Sequence, residues 1–299
     1  MKGRKKWLLS LLLVLTILLG RIDLAYAEPL VSAEQAIMMD QDSGLILYNK
    51  NMDNPQLIAS ITKVMTAIIA IEQGDLSDQV KVSQEAILAE GSSIYLTEGE
   101  SMTLEDLLYG LMLRSGNDAA LTIAEHIGGS VEGFVYLMNE KVNWLGLERT
   151  SFANPHGLDA ENHYSTAHDI AKLMRYAMNN ETFSEINKTR SYQSKSRSYQ
   201  WYNKNKLLTH YYPHTIAGKT GYTKAAGRTL VSVAEKNGRQ LIVVTINDPN
   251  DWFDHMRLYE WGFEQEEELK LITSVEAFEA PLSIMELVLN YLKKMVGLV

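Results

Sequence analysis

The sequence predicts an α+β fold in which the two ends of the chain form one antiparallel sheet and a mostly helical lobe is inserted between them. In the stretch AIMMDQDSGLILYNKN, two apolar runs surround the turn residues 40–44 and predict a hairpin. From about Thr215 the apolar residues alternate, and the Asn-Gly pair at 237–238 is a strong hairpin signal. Between these regions, from Ser60 to about Tyr176, apolar residues have helical spacing. A cleft between sheet and lobe is the expected place for a site.

Several helices have recognisable boundaries in the sequence. ASITKVMTAIIA, residues 59–70, predicts a helix whose apolar face follows a serine and a lysine. TLEDLLYGLML begins with Thr103, a good N-cap residue, and has carboxylates in its first turn. NDAALTIAEHIGG should end at the glycine pair 128–129, and DHMRLYEWGFE predicts one short helix after the strands.

Residues 1–27 have the features of a signal peptide. A basic segment, an apolar run from Trp7 to Gly20 and the cleavage signal at 25–27 precede Glu28. The apolar run is shorter than the about 20 residues that a membrane-spanning helix needs. We therefore expect export across the cytoplasmic membrane; an uncleaved amphipathic anchor is the alternative.

Charge and composition exclude several classes of function. The full chain has a net charge of −9. Without residues 1–27, which contain five basic residues and one acidic residue, 23 basic and 36 acidic residues remain, a net of −13. This balance argues against nucleic acid as a partner. The absence of cysteine excludes disulfides and thiol catalysis. No metal site is expected, because His210 and His214 have Pro213 between them and lack an accompanying Glu.

Three short motifs point to a specific chemistry. Ser-x-x-Lys at 60–63 would place a lysine amine beside a serine hydroxyl on one helix face. Ser-Gly-Asn at 115–117 falls between two predicted helices, and Lys-Thr-Gly at 219–221 opens the C-terminal strands. Each has an ordinary structural explanation when taken alone, as a cap, a turn or a strand start. The ordered set of three is expected in roughly one chain in a hundred of this length.

These motifs resemble the signature of the serine D-alanyl-D-alanine carboxypeptidases, the low-molecular-weight penicillin-binding proteins. Similar stretches run from about residue 33 to 263 and include RSGNDAA, NPHGLD, YSTAHDIAKLM and GKTGYTKAAGRTLVSVA. The resemblance implies a β-lactamase/DD-peptidase-like fold, with a catalytic domain over residues 28–265 and a C-terminal tail over 266–299.

The resemblance also implies a role for each motif residue. Ser60 would be the acyl-accepting nucleophile, and a neutral Lys63 would take its proton. Ser115 would relay that proton to the leaving amine, and Asn117 would orient Lys63 and hold the substrate amide. The substrate-binding residues would be Lys219, Thr220, Gly221 and Tyr222, with the backbone N–H groups of Ser60 and Tyr222 as the oxyanion hole. No metal or organic cofactor is implied.

The expected partner is a peptidoglycan stem peptide ending in D-Ala-D-Ala, whose free carboxylate suits Lys219. β-Lactams carry a carboxylate in a similar place and are the expected inhibitors. Lowering a lysine pKa from about 10.4 to about 7 requires about 4.6 kcal/mol of preference for the neutral amine. Burial of Lys63 and the nearby cation of Lys219 both act in that direction.

Three other functions follow from related residue patterns. A D,D-endopeptidase acting on peptidoglycan cross-links would use the same motifs but needs an open cleft beyond Lys219. A class A β-lactamase is disfavoured, because Glu148 in ERTSFANPHGLD lacks the Leu-Asn partner of a deacylating Glu-x-x-Leu-Asn stretch. A non-catalytic wall-binding protein is disfavoured by the intact Ser60 and Lys63.

The remaining residues carry weaker signals. His156 and Asp169 are expected to order the helical lobe. The stretch YQWYNKNKLL could line the cleft or pack its aromatic rings, and its candidates are Trp201, Tyr202 and Asn205. The segment 282–299 is amphipathic, and a peripheral membrane anchor and a helix packed on the catalytic domain fit it equally well.

Overall fold

A five-stranded antiparallel sheet joins the two ends of the described chain. The computed structural model describes residues 28–277, and the side chains among them as far as Gln265. The strands of the sheet are β1 (Gln35–Asp40), β2 (Ile46–Lys50), β7 (Thr215–Thr223), β8 (Gly227–Lys236) and β9 (Arg239–Ile246), in the spatial order β2-β1-β9-β8-β7. β1 pairs with β9 in a register that places Gln35 opposite Ile246. The predicted sheet is confirmed, and β7 lies at its edge.

The segment between β2 and β7 forms the helical lobe. Its helices are α1 (Lys63–Gln73), α2 (Gln84–Ile87), α3 (Leu104–Tyr109), α4 (Asn117–Gly128), α5 (Val131–Leu145), α6 (Ala167–Met178) and α7 (Glu181–Lys188). Two small two-stranded sheets accompany them, β3 (Gln79–Lys81) with β4 (Ser101–Thr103) and β5 (Ser191–Tyr192) with β6 (Trp201–Tyr202). The last described helix, α8, is Asp251–Ala277.

The sheet is covered on both faces, which explains why its central strands are apolar throughout. In β1, Ile37 and Met39 pack into the core shared with the lobe, whereas Met38 packs into the core shared with α8. Side chains alternate between the two faces of a strand, so consecutive buried residues belong to different cores. The fold is therefore three layers: lobe, sheet and α8.

Most predicted boundaries are found in the structure. Thr103 accepts a hydrogen bond from Asp106 N at 3.1 Å as the N-cap of α3. α4 ends at the glycine pair, with Gly129 in the left-handed conformation. Residues 237 and 238 have φ values of 54° and 80°, as a two-residue type I′ turn requires.

The helix expected after the strands is longer than predicted. It begins at Asp251 and continues to residue 277, and the sequence after Phe263 favours this extension because it is rich in Glu, a good helix former, and contains neither Gly nor Pro as far as 277. Within residues 28–277, no helix is both long enough and apolar enough to cross a membrane. The signal peptide assigned to 1–27 and the amphipathic segment 282–299 lie outside the described residues.

A buried histidine links α8 to the sheet. His255 is fully buried, and its two ring nitrogens lie 2.7 Å from Ser232 Oγ and 3.0 Å from Thr245 Oγ1. Ser232 Oγ is also 2.7 Å from the hydroxyl of Tyr259. Burial lowers the pKa of His255 from 6.5 to about 3, so the ring is neutral in the native protein at neutral pH.

The native state should lose stability as pH falls from about 6.5 towards about 3, because His255 takes up a proton only after unfolding. One such proton contributes a slope of up to about 1.4 kcal/mol per pH unit. Urea unfolding of wild type and His255→Gln between about pH 6 and pH 4 tests this prediction. The variant should be less stable at neutral pH but should show a shallower decline. Parallel declines would contradict it.

Candidate active site

The candidate nucleophile lies in a short turn before the first helix. Ser60 belongs to a 3₁₀ turn, Ala59–Thr62, and the α-helix itself begins only at Lys63. Ile58, not Ser60, is the N-cap of this turn. Ala59 has a φ of 49°, in the left-handed region that costs an L-residue about 1–2 kcal/mol. Ser60 is partly exposed, whereas the rest of the turn is buried.

Lys63 is fully buried, and its amine is surrounded by fixed acceptors. Nζ lies 3.0 Å from Ser60 Oγ, 2.7 Å from Asn117 Oδ1 and 2.6 Å from the carbonyl oxygen of His156. Burial, then the charge of Lys219, hold the pKa of Lys63 well below its usual value. A neutral amine has two N–H groups and one lone pair. Since the amide and carbonyl oxygens can only accept, the lone pair is left to face the Ser60 hydroxyl.

The middle motif is held by an unusual backbone. A single π-helical turn, Gly110–Arg114, follows α3 and ends at Ser115, which has left-handed φ and ψ values of 62° and 35°. π-Turns of this kind often occur at functional sites. Asn117 is anchored by its Nδ2, which donates to the carbonyl oxygen of Glu90 at 2.5 Å. Its side-chain oxygen therefore faces Lys63.

The third motif lies on the edge strand β7, directly against the turn that carries Ser60. Lys219 is buried and its Nζ donates to Ser115 Oγ at 2.9 Å and to the carbonyl oxygen of Thr220 at 2.8 Å. Burial, together with the charge of Lys204, lowers the pKa of Lys219 to about 7. A methyl group added to Gly221 would lie 2.8 Å from the backbone nitrogen of Ser60. Only glycine permits this approach.

A cleft of about 290 Å³ contains most of the predicted site. The predicted residues that line it are Ser60, Ser115, Thr220, Gly221 and Tyr222. The other three predicted residues lie behind this lining. Lys63 contacts Ser60 and Asn117 contacts Lys63. Lys219 contacts Ser115. A larger cavity of about 400 Å³, among Met39, His168, Arg175 and their neighbours, contains none of the predicted site residues.

Five further cleft residues did not stand out in the sequence: Ser92, Lys204, Arg228, Asp251 and Trp252. Arg228 Nη2 donates to both oxygens of Asp251 at 2.8 Å, and its guanidinium carbon lies 5.3 Å from the centre of the Trp252 ring. Pairing of β7 with β8 places Arg228 opposite Tyr222, a predicted site residue, so this strand register is the signal that could have identified Arg228. Asp251 and Trp252 come from α8, and no local pattern connects them to the motifs.

Lys204 is the residue of YQWYNKNKLL that lines the cleft, and its Nζ donates to Ser92 Oγ at 3.1 Å. The three candidates named from that stretch do not line it. Trp201 is buried and stacks on Tyr192, Tyr202 is exposed, and Asn205 is buried and bonds to the backbone of Leu207. The Trp201 ring therefore packs within the lobe, and the residue of this stretch that lines the cleft is the neighbouring Lys204.

The stretch NPHGLD forms a loop that supports the nucleophile turn through its backbone. The carbonyl oxygen of Pro155 accepts from Thr66 Oγ1 at 2.6 Å, and that of His156 accepts from Lys63. A methyl group added to Gly157 would lie 2.0 Å from the carbonyl oxygen of Ala59. The loop thus contacts the turn and α1 at three consecutive residues.

The two polar residues expected to order the lobe lie in its hydrogen-bond network. The ring of His156 accepts from the Leu158 N–H at 3.1 Å, while its carbonyl oxygen binds Lys63. The Asp169 carboxylate accepts from Arg149 N and Thr150 Oγ1, each at 2.9 Å. These contacts join the start of α6 to the segment after α5.

Comparison with known proteins identifies the family. A family model described as D-alanyl-D-alanine carboxypeptidase, peptidase S11, matches residues 23–250. The chain belongs to this family. It is 37% identical over 255 residues to the D-alanyl-D-alanine carboxypeptidase DacF of Bacillus subtilis, covering 80% of this chain and 65% of DacF. It is 36% identical over 241 residues to DacB2 of Mycobacterium tuberculosis, covering 77% of this chain and 82% of that protein.

Solved structures of the family share the fold. A crystal structure of D-alanyl-D-alanine carboxypeptidase from M. tuberculosis matches with a TM-score of 0.75 and 35% identity, over 79% of this chain and 92% of that one. A point mutant of the Streptomyces K15 DD-transpeptidase matches with a TM-score of 0.75 and 31% identity, over 79% of this chain and 100% of that one. The predicted DD-peptidase-like fold is confirmed.

Among the described side chains of this family member, no group of three or more His, Cys, Asp or Glu residues is arranged to hold a metal ion. His210 lies in a π-helical turn, Leu207–Tyr211, and His214 lies in the turn before β7. The polar groups gathered at the cleft are instead hydroxyls, amines, amides and one ion pair.

We expect Gly157→Ala to destabilise the protein more than Gly129→Ala. Both glycines have positive φ, 92° and 71°, so each alanine incurs the left-handed penalty of about 1–2 kcal/mol. Only the Gly157 methyl would meet the Ala59 carbonyl oxygen, since nothing lies within 4 Å of the Gly129 position. Such overpacking costs about 2 kcal/mol more. Equal shifts in the urea unfolding free energy would contradict this account of the loop.

Proposed function

We propose that this protein is a serine D-alanyl-D-alanine carboxypeptidase that removes the terminal D-alanine from peptidoglycan pentapeptide stems through an acyl-enzyme on Ser60. The observation that carries the proposal is the buried amine of Lys63, 3.0 Å from the Ser60 hydroxyl, with its other contacts made by acceptors. A serine hydroxyl is a weak nucleophile unless an adjacent base takes its proton. Neutral Lys63 supplies that base without a histidine.

Acylation begins when Ser60 Oγ attacks the carbonyl carbon of the penultimate D-alanine. Its proton passes to Lys63, and the carbonyl oxygen becomes an oxyanion that accepts from the N–H groups of Ser60 and Tyr222. Collapse of the intermediate breaks the peptide bond. Lys63 returns the proton through the Ser115 hydroxyl to the leaving nitrogen, and D-alanine departs with a neutral amine. Ser115 suits this step because Lys219 holds its hydroxyl from the other side.

The acyl-enzyme is resolved by water. The water oxygen attacks the ester carbon, its proton passes to Lys63, and the shortened stem leaves as the hydroxyl of Ser60 is restored. Glu148, the carboxylate in the segment where a class A β-lactamase has its deacylating base, is exposed, and the segment instead presents the backbone carbonyl of His156 to Lys63. A penicillin acyl group should persist on Ser60, because this segment has no such second base and because the leaving nitrogen of an opened β-lactam stays attached beside the ester, where D-alanine would have left room for water.

Recognition of the substrate carboxylate is assigned to the cationic side of the cleft. Lys219 supplies a buried charge, Thr220 a hydroxyl, and Arg228 a guanidinium fixed by Asp251. Arg228 bonds to Asp251 through Nη2 alone, so other N–H groups of its guanidinium are available to a ligand. A substrate that ends in a free carboxylate fits this arrangement, and so does the carboxylate of a β-lactam.

We further propose that residues 1–27 direct export and that the enzyme acts at the cell wall, with residues 28–265 as its catalytic domain. Peripheral membrane contact through 282–299 belongs to the same proposal. These assignments rest on the sequence patterns. Fractionation of cells that express the protein with and without residues 282–299 distinguishes an anchor from a packed helix.

The first experiment is release of D-alanine from a diacylated Lys-D-Ala-D-Ala peptide, with and without penicillin and with Ser60→Ala as the matched control. We expect release that penicillin blocks and that Ser60→Ala abolishes. If labelled penicillin acylates Ser60 but no alanine appears, a D,D-endopeptidase is favoured, and cross-linked muropeptides become the substrate. If Ser60 takes no label, the proposed mechanism is wrong.

The pH dependence should report the charge of Lys219. We expect kcat/KM to decline as pH rises above about 7, because Lys219 loses its proton there and with it the attraction for the substrate carboxylate. Lys219→Arg retains a positive charge at all working pH values. In this variant kcat/KM should stay level between about pH 7 and about pH 9. The same decline in both proteins would exclude Lys219 as its origin.

A further inference from the structure

We propose that Thr62 and His163 form a positioning pair that holds the Ala59–Ser60 peptide with the Ser60 N–H directed into the cleft. There the N–H stabilises the oxyanion formed during acylation. The inference rests on the function proposed above. It assigns a role to two buried residues that lie outside the motif positions given catalytic or binding roles.

The pair forms a directional chain of hydrogen bonds. His163 Nδ1 accepts from the N–H of Ala153 at 3.1 Å, so the proton of the neutral ring is on Nε2. Nε2 lies 2.8 Å from Thr62 Oγ1, and Thr62 Oγ1 donates to the carbonyl oxygen of Ala59 at 2.8 Å. Burial lowers the pKa of His163 to about 4, which keeps the ring neutral at neutral pH. The chain therefore runs from His163 through Thr62 to Ala59.

Peptide planarity converts this contact into an orientation of Ser60. In a trans peptide, the C=O of Ala59 and the N–H of Ser60 point in opposite directions. The carbonyl is held on the buried side by Thr62. The Ser60 nitrogen lies on the other side, where it closely approaches Gly221 of the cleft. A hydrogen bond accepted by the carbonyl also polarises the same amide and strengthens its N–H as a donor.

The orientation needs support because the backbone at this point is strained. Ala59 has a φ of 49°, a conformation that persists only when surrounding contacts enforce it. Gly157 packs against the Ala59 carbonyl from the loop side, and Thr62 bonds to it within the turn. Packing by Gly157 limits the space available to the carbonyl, whereas the hydroxyl of Thr62 supplies a specific direction.

Both members of the pair act through Ser60 and do not touch substrate. Thr62 is completely buried, and the exposed fraction of His163 is 1%. Loss of the pair should therefore leave ground-state binding of substrate nearly unchanged. It should slow the step in which negative charge develops on the oxygen.

The test uses the full chain with Thr62→Val, which removes the hydroxyl at nearly constant shape, and Thr62→Ser, which keeps it. Removing an oxyanion-hole donor costs about 10²–10³ in rate, and here the donor remains but is poorly aimed. We expect Thr62→Val to lower the acylation rate constant with labelled penicillin about tenfold or more, while the KM for the D-Ala-D-Ala peptide stays within about twofold. Thr62→Ser should restore most of the rate.

Thr122→Val is the matched control for a purely structural effect. Thr122 is also a buried threonine whose hydroxyl donates to a carbonyl in its own helix, that of Asp118 at 2.9 Å, and it does not line the cleft. Thr122→Val should lose about as much stability as Thr62→Val but should be acylated at the wild-type rate. A boronic acid that forms a tetrahedral adduct with Ser60 should bind more weakly to Thr62→Val by the same factor as the rate.

The outcomes separate the positioning pair from the proposed function. If wild type is acylated and Thr62→Val reacts equally fast, or loses no more than Thr122→Val, the positioning role is wrong and the carboxypeptidase assignment stands. If wild type is not acylated, both the positioning role and the carboxypeptidase assignment are wrong. Should Thr62→Val fail to fold, His163→Ala leaves the hydroxyl but removes its donor. It should slow acylation about threefold or more with KM retained, and an unchanged rate would overturn the proposal.

Discussion

The site depends on two lysine amines buried within one hydrogen-bonded cluster. Lys63 and Lys219 are each almost completely removed from water, and this desolvation lowers the pKa of both amines. Two positive charges buried close together repel each other and both lack hydration, so the cluster favours one neutral amine and one cation. We assign the neutral form to Lys63, because burial and the charge of Lys219 both lower the pKa of its amine. An unpaired buried charge would otherwise destabilise the fold.

Two layers of the fold, the lobe and the sheet, supply the walls of this cluster. The lobe provides Lys63 through α1 and Asn117 through α4, and the sheet provides Lys219 through its edge strand. The loop 154–158, also part of the lobe, closes the cluster with the backbone carbonyl of His156. A backbone acceptor cannot titrate or rotate away, which makes it a suitable partner for an amine that is proposed to change protonation state. The strained conformations of Ala59 and Ser115 lie at the two points where the chain turns into this cluster.

Local patterns in the sequence were sufficient for much of the fold and for the motif residues. The alternation of apolar residues after Thr215 predicts strands, the Asn-Gly pair at 237–238 predicts the turn between them, and Thr103 predicts the start of a helix. Each of these features has a cause within a few residues of it. The π-turn before Ser115, the left-handed Ala59 and the extension of the last helix were not predicted, because no side-chain period encodes them. Lys204 and Asp251 reach the cleft only through tertiary packing, so a single sequence without structure gives no reason to select them.

The pairing of β1 with β9 sets the order in which a working enzyme can arise. The ribosome synthesises the chain from its N-terminus. β1 therefore cannot pair with β9 until Ile246, the residue opposite Gln35, has been made. Until then the β1–β2 hairpin has two apolar faces without partners, and the nucleophile turn has no edge strand beside it. Contacts so distant in sequence form slowly. A partly synthesised chain therefore lacks the assembled site, which is complete only once the last strand has been made.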